Sequence, residues 1–134
     1  MEQPKRILIV DDEENVRFTL GDTLSRLGPE VEIVEARSGE EAMARIRETP
    51  FALILTDLRM PGMSGLELIQ AVVEACPGTT VILLSAYGDG AVRAEAARLG
   101  VYRCLDKPLD TAEIRQVVRQ ALESTQLPLH QEDV

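Results

Sequence analysis

An open, doubly wound parallel α/β sheet is the fold this chain predicts, a (βα)5 arrangement in three α/β/α layers with strand order 2-1-3-4-5. Two observations carry the prediction. Five short apolar runs alternate strictly with five segments of helical periodicity along 134 residues, a succession that parallel strands joined by right-handed helical crossovers satisfy. Four of those runs finish in Asp, Ser or Asp-Lys. Polar chemistry is thus gathered at the carboxyl ends of the strands, the edge where such sheets bind ligands.

Arg6 to Val10 is a continuous apolar run, read as a buried first strand, and Asp11-Asp12-Glu13-Glu14 follows it. Val16, Leu20, Leu24 and Leu27 share one helical face, which Gly28-Pro29 terminates. Val31 to Ala36 interleaves Val31, Ile33 and Val34 with glutamates, a pattern suited to an exposed edge strand. Ser38 and Glu41 have capping-box spacing for a second helix packed through Ala42, Met43 and Ile46. Phe51 to Thr56 is the third strand and delivers Asp57 to a Pro-Gly loop. Ser64 and Glu67 repeat the capping-box spacing before Leu68, Ile69, Val72, Val73 and Cys76, and Pro77-Gly78 closes that helix. Thr80 to Leu84 forms the fourth strand, ended by Ser85-Ala86, and Gly88 and Gly90 precede a weakly apolar helix carrying Val92, Ala96, Ala97 and Leu99. After the C-cap Gly100, Val101 to Leu105 is the fifth strand and Lys107-Pro108 turns the chain. Asp110 and Glu113 open the last helix, whose stripe is Ile114, Val117, Val118, Ala121 and Leu122. From Thr125 the periodicity ends, so residues 125–134 are expected to form a tail or the start of a linker.

Composition narrows the function. With 45% hydrophobic and 28% charged residues the chain suits a single core without disulfides. A net charge of -9 excludes a phosphate-neutralising nucleic-acid groove in this segment. No apolar run is long enough to span a membrane, and the amino terminus lacks a signal-peptide core, so a cytoplasmic location is expected. Cys76 and Cys104 have no metal or redox spacing and read as reduced core thiols. His130, the only histidine, falls in the expected tail and reads as neither ligand nor catalyst. Arg98, Arg115 and Arg119 form charged helix faces, most simply solvated, with partner binding as the alternative. Of the 14 cationic side chains only Lys5 and Lys107 are lysines, and Lys107 stands at a strand end.

The predicted topology brings Asp11, Asp12, Asp57, Ser85 and Lys107 to one crevice. Carboxylates gathered there repel one another unless a cation intervenes, and hard oxygen donors that leave room for water suit magnesium. Lys107 balances the remaining charge as a compact point charge. A carboxylate nucleophile, magnesium, a hydroxyl donor and a lysine form a phosphoryl-transfer constellation, in which Asp57 attacks in line and becomes an aspartyl phosphate. Taken singly, each residue has a plainer reading: Asp11-Asp12 as helix caps, Asp57 as turn chemistry, Ser85 as a cap, Lys107 as a solvated strand end. Their coincidence at one edge favours the site. There is no P-loop, nucleophile elbow or zinc spacing. A magnesium-dependent aspartyl-phosphate hydrolase calls for a second acid two residues after the nucleophile, where this chain has Arg59.

In these residues the chain resembles the receiver domains of two-component response regulators, which share the flavodoxin-like fold. Asp11-Asp12, Asp57 before Met60-Pro61-Gly62, Ser85-Ala86 and Lys107-Pro108 carry the resemblance. It makes residues 5–124 one receiver domain. It implies Asp57 as phosphoacceptor, Ser85 and Lys107 as ligands of the phosphoryl group, and a cis Lys107-Pro108 bond. The same resemblance implies magnesium, or manganese in its place, held by Asp12, Asp57 and the main-chain carbonyl of Arg59, with Asp11 acting through water. The implied partners are a sensor histidine kinase and an output domain or effector, reached through the fourth helix, fifth strand and fifth helix, a face that also serves homodimers. Catalysis is limited to self-phosphorylation and autodephosphorylation; the chain is not otherwise expected to be an enzyme. Arg59 and Tyr87 flank the site and are expected to slow water attack. One position departs from the family: Cys104 stands where an aromatic switch residue is usual, with Tyr102 expected on the same strand face as a partial substitute. That departure keeps open an alternative, a receiver-like interaction module with weak phospho-switching. The loops after the third and fourth strands lean toward receivers of transcription activators.

Overall fold

The computed structural model describes residues 4–86 and 90–126. Tyr87, Gly88 and the tail beyond Gln126, with Pro128 and His130, lie outside the described residues. The strands are β1 (Lys5–Val10), β2 (Val31–Ala36), β3 (Leu53–Asp57), β4 (Thr80–Ser85) and β5 (Arg103–Asp106). The helices between and after them are α1 (Glu14–Ser25), α2 (Gly39–Glu48), α3 (Gly65–Ala75), α4 (Gly90–Arg98) and α5 (Thr111–Gln126). The strands form one parallel sheet in the order β2-β1-β3-β4-β5.

Continuous apolar runs make sense because the central strands are covered on both sides. Leu8, Val10, Ile54 and Leu83 face α2, α3 and α4 and bury with Met43, Ile46, Leu68, Ile69, Val72 and Ala96. Their neighbours in sequence, Ile7, Ile9, Leu53, Leu55, Ile82 and Leu84, turn the other way and pack on α1 and α5 through Leu20, Leu24, Ile114, Val117 and Val118. The edge strand β2 instead exposes Glu32 and Glu35.

Four local details differ from the sequence expectation. β3 starts at Leu53, not Phe51, and runs on to include Asp57. Phe51 is buried ahead of the ladder with the Arg6 guanidinium 4.4 Å from its ring centroid. β5 starts at Arg103, not Val101, because α4 ends in a Schellman motif that uses Val101. There Gly100 has φ +97, its N–H donates to Ala97 O at 3.0 Å, and Val101 N–H donates to Ala96 O at 3.1 Å. At α2, Ser38 Oγ accepts from Glu41 N–H at 3.0 Å, but the Glu41 carboxylate accepts from Arg37 N–H rather than returning to Ser38. The full reciprocal box is present at α3, between Ser64 and Glu67. Finally, Thr125 and Gln126 continue α5 instead of opening the tail.

Candidate functional site

Every residue of the predicted constellation sits on or just beyond a strand end, and main-chain hydrogen bonds lock those ends together. Asp57 pairs in register with Leu84. Leu58 N–H donates to Leu84 O at 3.0 Å, and Lys107 N–H donates to Ser85 O at 2.9 Å. Side chains carried by β3, β4 and the end of β5 therefore hold fixed relative positions. The Lys107–Pro108 peptide bond is cis.

The carboxylates of Asp11, Asp12 and Asp57 each offer an oxygen, and these lie within 4.8 Å of one another. Asp11 and Asp57 are buried; Asp12 is exposed at the mouth. Lys107 Nζ lies 2.7 Å from Asp57 Oδ1, a charge-assisted contact to a carboxylate almost withdrawn from solvent. Asp11 Oδ1 accepts from Glu13 N–H at 2.9 Å, while its Oδ2 is buried without a partner. Ser85 Oγ is likewise buried and unpartnered. Buried polar atoms are rarely left so, and these two, one just beyond β1 and one at the end of β4, retain bonding capacity for a bound group.

Electrostatics follow from this crowding. Burial first, then the negative charges of Asp57 and Asp12, push the Asp11 carboxyl up to about 6, against the opposing Glu13 N–H and Lys107. Burial by itself lowers the Lys107 ammonium, but the hydrogen bond and charge of Asp57, with Asp11 and Glu13, outweigh it and raise it. Lys107 therefore stays charged where it meets the acidic cluster. Such a donor set fits a hard divalent cation that leaves room for water.

The chain matches the family model of the response regulator receiver domain over residues 7–119. It belongs to that family. This receiver is 37% identical over 118 residues to the response regulator protein PilR of Pseudomonas aeruginosa, covering 88% of this chain and 26% of PilR. It therefore spans about a quarter of that relative's length. It is 36% identical to a probable chemotaxis protein CheY of Rhizobium etli, covering 84% of this chain and 88% of that protein. Among solved structures, NtrX of Brucella abortus superposes with a TM-score of 0.89 at 28% identity, over 98% of this chain and 29% of that one.

The receiver's geometry corrects one expectation. Tyr102 and Cys104 do not share a face: Cys104 packs with the cluster under α2, α3 and α4, whereas Tyr102 packs with the α1/α5 cluster. Strand alternation begins only at Arg103, and Tyr102 lies in the bend before it. Tyr102 therefore does not stand in for an aromatic at position 104. Arg59 is exposed, two residues beyond Asp57 in the loop leading to α3. Two residues the sequence did not flag also shape the receiver's site. Arg17 Nη1 donates to Asp11 O at 2.8 Å. Gly65 brings α3 so close that a Cβ there would lie 2.3 Å from Asp57 O. A glycine directly after a capping serine was the available sign for Gly65; Arg17 looked like any other helix-surface arginine.

Proposed function

We propose that this receiver takes a phosphoryl group from a phosphohistidine of a sensor kinase onto Asp57, and that the change alters the α4/β5/α5 face read by an output domain or effector. The observation that carries this reading is the Lys107 Nζ to Asp57 Oδ1 contact of 2.7 Å within a crevice shared with Asp11 and Asp12. A carboxylate oxygen of Asp57 attacks phosphorus while the phosphorus–nitrogen bond breaks. The electron pair of that bond leaves with the imidazole, which takes up a proton. Lys107 then moves its hydrogen bond from the carboxylate to a phosphoryl oxygen. Ser85, buried and without a partner, donates its hydroxyl to another.

Asp12, Asp57 and the carbonyl of Arg59 would hold magnesium, or manganese in its place, with Asp11 acting through water. The ion supplies positive charge against the acidic cluster and the phosphoryl oxygens. Acetyl phosphate with magnesium, followed by intact mass, tests the assignment: the wild-type chain gains one phosphoryl mass and Asp57→Asn does not. Equal labelling of the two, or none of either, refutes it. Relatives such as PilR and the transcriptional regulatory protein GlrR of Escherichia coli support transcription as the output. The face also suits a homodimer. Light scattering with and without beryllofluoride checks this, and an unchanged mass excludes a phosphorylation-driven dimer.

A further inference from the structure

We propose that Arg17 is a positioning residue for the divalent-cation site, tying the Asp11–Asp12 turn to the edge strand β2. The proposal rests on the reading of the acidic cluster as a magnesium site. β2 contributes no side chain to that cluster, yet two contacts fasten the turn to it. Asp11 N–H donates to Ala36 O at 3.1 Å, at the last residue of β2. On its other side, Asp11 O accepts from Arg17 Nη1 at 2.8 Å, and Arg17 Nε donates to Glu35 Oε1 at 3.1 Å. The arginine side chain is 14% exposed against 45% for Glu35, so the Asp11 end of the bridge is part-buried while the Glu35 end lies at the surface.

The carbonyl that Arg17 holds belongs to the peptide plane joining Asp11 to Asp12. Fixing that plane fixes where the backbone of Asp12 starts, and so how its exposed carboxylate reaches the buried pair. Two acceptors in different directions require the guanidinium fork; one lysine nitrogen reaches only one of them. Two effects of Arg17 on cation affinity oppose each other. Its positive charge repels a cation, so deletion by that effect alone tightens binding. Its bridge preorganises the acidic turn, so deletion by that effect weakens binding. We infer that the bridge wins, because partners that orient metal ligands typically govern affinity by about 10–100-fold.

Arg17→Lys separates the two, since it keeps the charge and breaks the fork. Calorimetric titration with magnesium chloride is run on wild type, Arg17→Lys, Arg17→Gln and Glu35→Gln, each shown to be folded by urea denaturation. Both Arg17 variants are expected to bind magnesium about tenfold more weakly, and Glu35→Gln to show a smaller loss. An Arg17 that merely stabilises the fold lowers the urea midpoint while leaving affinity intact, and that result overturns the proposal. So does an Arg17→Gln variant that binds magnesium more tightly than wild type. If Arg17→Gln fails to fold, Arg17→Lys and Glu35→Gln still decide. A wild-type chain with no saturable magnesium binding defeats the metal reading itself, a failure distinct from wild-type binding that the substitutions leave unchanged.

Discussion

Asp11 is fully buried, and its surroundings make its ionisation expensive. Asp57 and Lys107 reach it from the ends of β3 and β5 and Asp12 is the next residue in the chain, with the Glu13 N–H and Arg17 on the α1 side. Its carboxyl titrates at about 6 in the folded, metal-free chain against 3.8 for the ordinary group. The folded state therefore holds the proton more tightly than the unfolded one. Stability from this group is full below about pH 4, falls as pH rises toward 6, and is lost above it, by about 3 kcal/mol at most. Asp11→Asn removes that dependence. In EDTA the variant is expected to exceed wild type in urea-denaturation stability at pH 7.5, with the gap closing by pH 4.5; a variant no more stable at pH 7.5 refutes the sign. At this scale Asp57, Ser85 and Lys107 were legible because polar residues ending apolar runs have few structural reasons to recur. Tyr102 was misread because period-two alternation holds only inside the ladder, and its residue precedes it.

Between β3 and α3 the helix start presses against the end of the strand. Gly65 N–H donates to Leu58 O at 2.8 Å, and the missing Cβ leaves the space taken by Asp57 O and Leu58 Cα. Alanine ordinarily stabilises a helix relative to glycine by about 1 kcal/mol. Here a Cβ 2.3 Å from a backbone oxygen forces α3 away from the site, and steric strain outweighs propensity. Gly65→Ala is expected to cost about 1–3 kcal/mol overall and to slow acetyl phosphate labelling of Asp57. Unchanged stability and labelling would show that the loop yields without cost. Helix stripes and turn residues located all ten elements. Their ends were harder to read, because the main chain decides them: the Schellman turn takes Val101 out of β5, and the Glu41 carboxylate chooses the Arg37 N–H over Ser38.

Across the whole molecule, strict alternation of strand and helix was enough to give the sheet order, since right-handed crossovers leave little freedom once five units are recognised. What alternation could not reveal is how β2, polar and outermost, is fastened to the Asp11–Asp12 turn through Ala36 O and the Arg17–Glu35 contact. The division of the core into two clusters has a practical outcome at Cys104. This thiol is half-buried on the α4 side of the sheet, where burial pushes its pKa up against the opposing charge of Arg93. Thiolate is the reactive form, so the resting protein shields this sulfur from electrophiles. In a Cys76→Ser background the chain carries a single native reporter beneath the element expected to move. Alkylation by iodoacetamide is expected to quicken when acetyl phosphate and magnesium are added, and an unchanged rate would mean that α4 keeps its seat over β5. Under the proposed switch, the Cys104 thiol reports when the face beneath α4 responds to phosphorylation.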